Sequence, residues 1–273
     1  MFVDTHAMLL DALRGGYAVG AFNVENLEMA MAVVAEAESL SVPVILQTTP
    51  GTLRYARPAV FAGMIAPIAR AARVPVALHL DHGDSFDLAM EAARDGYTSV
   101  MIDGSKLPFV ENIALTRHTV AAVGGLPVEG ELGCVGGKED DHSADNRYTD
   151  PLDALRFVRE TGVSSLAVAI GTAHGVYAAK PALDLDRLGE IRQKVEIPLV
   201  LHGASGLSPD DVTACVRRGV QKVNFATDLR IAYTAGVRAC LEDGKVFDPK
   251  VYGRAGMEAV RAAVREKISW LRP

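Results

Sequence analysis

Eight short apolar runs alternate with eight longer amphipathic stretches along the 273 residues, and this alternation restricts the possible fold more than any other feature. The β-like runs are 18–23, 43–47, 75–80, 98–102, 126–131, 164–170, 197–201 and 220–225. The helix-like stretches are 26–40, 57–72, 85–95, 110–123, 151–161, 184–195, 208–217 and 227–241. In the first stretch Leu27, Ala30, Met31, Val34 and Ala37 recur at helical spacing with a polar back. Pro43, Pro75, Pro127 and Pro198 stand at or just before run starts, where a missing amide is tolerated. Asp150-Pro151 and Ser208-Pro209 read as helix caps followed by proline at the first helical position. Eight such units predict an α/β chain forming a (β/α)8 barrel, with a doubly wound open sheet as the alternative. The barrel is favoured by the count and by chemically active residues at the ends of many runs. A single domain over 1–273 is expected, with a helical extension at its C-terminal end. The polar, glycine-rich connection 132–150 is too long for an ordinary loop and reads as an active-site loop after the fifth strand.

Composition excludes several classes. The formal charge is −6 and no basic stripe is present, so no nucleic-acid partner is expected. No apolar run is long enough to span a bilayer, and the start Met1-Phe-Val-Asp-Thr-His6 lacks a signal layout. Cys134, Cys215 and Cys240 form no CxxC pair and read as reduced thiols, which points to a cytoplasmic location. Neither a dinucleotide fingerprint nor a P-loop occurs. A Schiff-base mechanism lacks support because no lysine stands clearly inside an apolar run, Lys222 coming closest.

Three histidines, each followed by glycine, end three of the runs. They are His82 in Val76-Ala-Leu-His-Leu-Asp-His-Gly83, His174 in Val168-Ala-Ile-Gly-Thr-Ala-His-Gly175, and His202 in Pro198-Leu-Val-Leu-His-Gly203. Each alone reads as an ordinary hydrogen-bonded histidine; together, at one end of three parallel strands, they are expected to form an open zinc (Zn2+) site. His79 competes with His82 for the third-strand position but lies within the run. His6, His118 and His142 fall on expected surfaces. Asp81, just before His82, is placed either to move a proton on bound substrate or to orient an imidazole. Asp103 ends the fourth run, and Glu129 and Glu131 share one face of the fifth. A buried acid needs a metal or a lysine beside it, so Glu129 also fits a structural ion pair. The His202-Gly-Ala-Ser-Gly206 and Asn224-Phe-Ala-Thr-Asp228 segments follow the seventh and eighth runs. Small residues and a helix start at that place in a barrel suit a phosphate.

Seven motifs in order make the chain resemble the zinc-dependent class II ketose-bisphosphate aldolases over nearly its whole length, most of all their tagatose-bisphosphate branch. They are Ala21-Phe-Asn-Val24, Leu78-His-Leu-Asp-His-Gly83, Met101-Ile-Asp-Gly-Ser105, Glu129-Gly-Glu-Leu-Gly133 with Gly136-Gly-Lys-Glu-Asp140, Ala169-Ile-Gly-Thr-Ala-His-Gly175, Leu201-His-Gly-Ala-Ser-Gly206 and Val223-Asn-Phe-Ala-Thr227. The resemblance implies zinc on His82, His174 and His202, with Asp103 and Glu131 near an alternative metal position. Asp81 is then the proton donor and acceptor at the C4 hydroxyl, and Glu139 the loop glutamate that exchanges the C3 proton. Asn23, Gly175, Gly203, Ala204, Ser205, Asn224, Phe225, Ala226 and Thr227 would bind the dihydroxyacetone-phosphate half. In relatives an arginine from a neighbouring subunit reaches the far phosphate; here Lys250 stands in that position with Arg254 close by. The implied reaction is reversible cleavage of tagatose or fructose 1,6-bisphosphate, through an enediolate, to dihydroxyacetone phosphate and glyceraldehyde 3-phosphate. A homodimer or homotetramer, and an assisting sodium or potassium ion, also follow from the resemblance. The competing expectations are an aldolase for another aldehyde half, a non-catalytic zinc-binding partner subunit on the same fold, and a metal-dependent sugar-phosphate isomerase.

Overall fold

The eight runs become eight parallel strands that close into a barrel. The computed structural model describes residues 1–137, 148–175 and 181–272. The first half of the chain contributes α1 (Thr5–Gly15), β1 (Val19–Asn23), α2 (Leu27–Leu40), β2 (Val44–Thr48), α3 (Pro50–Tyr55), α4 (Pro58–Ala71), β3 (Val76–Gly83), α5 (Phe86–Asp95), β4 (Ser99–Ile102), α6 (Phe109–Ala122) and β5 (Val128–Leu132). The second contributes β6 (Gly136–Gly137), α7 (Pro151–Thr161), β7 (Ser165–Val168), β8 (Ala173–His174), α8 (Leu185–Lys194), β9 (Leu199–Leu201), α9 (Pro209–Arg217), β10 (Val220–Phe225), α10 (Thr227–Cys240) and α11 (Pro249–Ser269). Around the barrel the order is β1-β10-β9-β7-β5-β4-β3-β2, while β6 and β8 pair as a separate parallel ribbon. No helix among the described residues is long and apolar enough to cross a membrane.

Local chemistry sets the helix starts. Asn26 Oδ1 accepts from Met29 N, Asp150 Oδ1 from Leu152 N and Asp153 N, and Ser208 Oγ from Asp211 N. Each satisfies amides that the first helical turn leaves unpaired.

The barrel interior is layered. At the bottom Val19, Ala21, Ile45 and Ala77 pack on Met8, Leu9 and Ala12 of α1, which closes the lower mouth. The next layer is polar: His79, Glu129 and Lys222 are all buried there. The correction to the sequence reading is that Lys222 lies squarely within β10, where its ammonium is tied to Glu129 at 2.9 Å. Outside the barrel, Phe22 stacks on Phe225 with ring centroids 5.5 Å apart, in the apolar layer shared with the helices.

Two helices were not expected. α1 is a short stripe of Met8, Leu9 and Ala12, and the six-residue α3 is too short for a periodic signal. β7 stops at Val168 because Ala169 exchanges its backbone pair with Thr149, accepting from Thr149 N and donating to Thr149 Oγ1. The helical extension α11 packs on α2 and α10. Fully buried Glu36 of α2 accepts from Arg261 Nε at 3.1 Å and Arg265 Nε at 2.6 Å.

Phe22→Ala is expected to lower stability by about 3–5 kcal/mol, the usual loss when a fully buried aromatic is truncated. Chemical denaturation of the two proteins side by side measures it; a change under about 1 kcal/mol would mean the Phe22–Phe225 stack is not part of the core.

Candidate active site

The C-terminal ends of the strands gather the polar residues. Strand alternation points His79, Asp81 and Gly83 to one side and His82 to the other. His82 escapes this because its φ is +50°, in the left-handed region. The β3–β4 register also shifts between Leu80 and Gly83. The imidazole thereby lies over the barrel mouth, its ring centroid 4.5 Å from that of His202 and 4.9 Å from that of His174. One nitrogen from each of the three rings lies within 4.8 Å of the others. His174 is carried there by β8, paired to β6 at Gly137.

The hydrogen bonds select which nitrogens face inward. His82 Nδ1 donates to Asp103 Oδ2 at 2.9 Å, and His202 Nε2 donates to Glu129 Oε1 at 2.9 Å. His82 Nε2 and His202 Nδ1 are buried and make no hydrogen bond among the described residues, although His202 Nδ1 stands 3.4 Å from Glu131 Oε2. A carboxylate behind each ring fixes its tautomer and leaves a lone pair directed at the centre, the arrangement metal-bound imidazoles use. The donor set therefore fits a zinc ion. His82, Asp103 and Glu131 form a second cluster of the same compactness. His79 belongs to neither: its Nδ1 pairs with Ser99 Oγ at 2.8 Å. Burial and the neighbouring Lys222 charge depress its pKa to about 3.

The electrostatics of the centre favour a cation. Burial pulls the His82 pKa down, but Asp81, Asp103 and Glu131 outweigh it and hold the ring well above its ordinary value. His174 is held well below the ordinary value by burial and by the charges of His82 and His202. Burial and the nearby Asp103 raise Glu131. A metal ion displacing the protons would meet the same carboxylates.

Asp81 is buried beside His82 with both oxygens engaged. Oδ2 accepts from Asn23 Nδ2 at 2.8 Å and Oδ1 from Asn224 Nδ2 at 2.9 Å. Gln47 Nε2 donates to Asn23 Oδ1 at 2.8 Å, which sets the amide's orientation. Burial would raise the Asp81 pKa, but the charges of His82 and His202 and the Asn23 bond leave it below the usual carboxylate range. Gln47 escaped the sequence reading, although a glutamine inside the buried run Val44-Ile-Leu-Gln-Thr48 was the available signal.

The small-residue loops come together as well. Ala226 N donates to Ser205 Oγ at 3.2 Å, joining the loops after β9 and β10. Gly203 has φ +67°, and a Cβ there would come within 2.6 Å of Ala173 O. Ala204 is buried at the same turn, and Gly175, with φ +92°, follows His174. Thr227 opens α10 with no side-chain cap among the described residues. Phe225 directs its ring into the outer core, so it offers this face only its backbone. Lys250, in the first turn of α11, is 85% exposed and holds Asp248 at 2.9 Å. Arg254 is exposed one turn on. Glu139 and most of the 132–150 connection lie outside the described residues.

A closed parallel barrel with three convergent imidazoles, a buried aspartate beside them and small-residue loops across the mouth defines a barrel enzyme with a metal-type centre. The family model described as class II fructose-bisphosphate aldolase matches residues 3–273, and the chain belongs to that family. Among solved structures, the YdjI aldolase of Escherichia coli K12 is 37% identical, with 99% of this chain and 97% of that one covered at a TM-score of 0.90. A Coccidioides immitis protein described as a fructose-1,6-bisphosphate aldolase is 31% identical, with 97% and 94% covered at 0.90. The fructose-bisphosphate aldolase of Campylobacter jejuni is 25% identical, with 99% and 95% covered at 0.83. The chain is thus an aldolase, a carbon–carbon lyase of class II.

Glu129→Gln is expected to cost about 3–5 kcal/mol of stability, because it leaves the Lys222 ammonium buried without a counter-charge. It should also weaken metal binding about tenfold or more by loosening His202. Denaturation and competition with a metallochromic chelator test the two effects separately.

Proposed function

We propose that this aldolase cleaves a ketose 1,6-bisphosphate, tagatose or fructose, to dihydroxyacetone phosphate and glyceraldehyde 3-phosphate, with zinc on His82, His174 and His202. The observation that carries the metal reading is the convergence of one nitrogen from each of His82, His174 and His202 within 4.8 Å, with a carboxylate holding the other nitrogen of His82 and of His202. Zinc bound there would supply Lewis-acid polarisation of the ketose C2 carbonyl and stabilise the charge that develops on cleavage. Asp103 and Glu131 offer the ion an alternative position.

Asp81 is the base in this reading. It takes the proton of the C4 hydroxyl as the C3–C4 bond breaks; the C4 oxygen becomes the aldehyde carbonyl, and the bonding pair stays with the three-carbon fragment. Asn23 and Asn224 hold the carboxylate in place and keep it ionised for that step. Glu139 would return a proton to C3. The turn Gly203–Ser205, Gly175 and the segment Asn224–Thr227 would hold the C1 phosphate through backbone N–H groups and hydroxyls, with a sodium or potassium ion as an aid. Tagatose and fructose bisphosphates differ only at C4, so the choice between them depends on how one hydroxyl meets Asp81. The family resemblance favours a homodimer or homotetramer.

The central test is triose-phosphate release from both bisphosphates in parallel, before and after chelation and zinc restoration. Cleavage lost with chelator and regained with zinc supports the reading, and the rate ratio names the sugar. Zinc-loaded protein that cleaves neither would overturn the substrate assignment. Asp81→Asn should keep the metal and lose activity by roughly 100-fold or more. His202→Ala should lose metal and activity together.

A further inference from the structure

His82 lies within a barrel strand and His202 follows one at once, but β7 ends at Val168 and the chain must still pass through Ala169-Ile-Gly-Thr-Ala173 before it reaches His174. The place of that imidazole therefore depends on what steers the intervening segment. β5 cannot do so: its last rung with β7 is Leu132–Val168, and it leaves the sheet at Gly133, whose φ is +87°. Thr149 takes the vacated place. Its amide donates to Ala169 O at 3.0 Å, and its hydroxyl accepts from Ala169 N at 2.9 Å. The same hydroxyl donates to the carbonyl of Leu132, the last residue of β5. One buried side chain thus joins the end of β5 to the start of the segment that carries His174.

The junction is braced from outside by α8. Arg187 donates from Nη1 to Thr149 O at 3.1 Å and from Nε to Asp184 Oδ2 at 3.0 Å. Asp184 N in turn donates to Ile170 O at 2.9 Å. The Arg187 guanidinium lies 5.4 Å from the centroid of the Tyr148 ring. Gly171 turns the segment with φ +106°, where a Cβ would come within 2.5 Å of Ala182 O and 3.0 Å of Tyr148 Oη. The turn is closely walled, which leaves the segment little room for another course. The amide, carbonyl and hydroxyl of Thr149 are all spent on this one junction. A valine there would fill the same space but leave the buried amide of Ala169 without its acceptor.

We infer that Thr149 is a positioning residue for His174: its hydroxyl sets where that imidazole meets the metal centre. The inference rests on the zinc reading of the three histidines. Zinc affinity, measured by competition with a metallochromic chelator, and the visible absorption of the cobalt(II)-loaded protein, which reports ligand geometry, test it on the full chain. In Thr149→Val, zinc affinity is expected to fall about tenfold or more with a shifted cobalt spectrum, and Thr149→Ser is expected to restore both. In a His174→Ala background, Thr149→Val is expected to cost no further affinity. Parental zinc affinity and cobalt spectrum in Thr149→Val, or an equal fall in both backgrounds, would overturn the positioning role whatever happens to stability. If Thr149→Val does not fold, the partly exposed Arg187→Gln decides: a severalfold fall in zinc affinity supports the role, and an unchanged affinity overturns it. A parent protein that takes up no zinc, or binds it as tightly without His174, would overturn the zinc reading and this role with it.

Discussion

The Glu129 carboxylate lies in the middle of the barrel, accepting one hydrogen bond from Lys222 and one from His202. A charge so deeply buried is tolerable only with a counter-charge and full hydrogen bonding. Lys222 supplies the first, and the His202 N–H completes the second. The arrangement works upward from there. With Nε2 given to Glu129, His202 has only Nδ1 to present to the centre, and the opposite choice at His82 follows from Asp103. The polar layer inside the barrel is thus also the layer that decides the His202 tautomer above it.

The eight β/α units were legible because each strand is a short apolar run and most of the following helices carry a cap or a proline start. Asp150-Pro151 and Ser208-Pro209 open α7 and α9 where expected. The three histidines were legible as a set because glycine follows each at a run's end. What the pattern hid was direction. Period-two alternation turns His82 away from Asp81, and only the left-handed backbone at residue 82 restores it to the mouth. Lys222 and Asn224 obey the alternation, so their inward direction could have been read as that of Glu129 and Glu131 was, and Phe225 could have been assigned to the outer core. Gln47 went unnoticed because a lone amide in an apolar run resembles an ordinary interruption.

The mouth of the barrel divides by chemistry. Over β9 and β10 the backbone is exposed at small residues and held together by the Ser205–Ala226 bond. Over β2, β3 and β4 a chamber of about 310 Å3 has charged side chains, Asp84 and Asp103 among them, in its lining. Backbone amides recognise one fixed anion with little freedom to vary, whereas side chains on loops change readily without disturbing strands.

Asp81 is clamped by an asparagine from β1 on one oxygen and an asparagine from β10 on the other. These are the first and last strands of the barrel, and they are neighbours only at its seam. A growing chain that has already made β3, and with it Asp81 and His82, still lacks one of the two clamps until residue 224 has been added. The carboxylate's orientation is consequently a property of the closed ring rather than of any local segment. A half-barrel released before residue 224 would hold Asp81 through Asn23 alone, so the full clamp would form only when the ring closes.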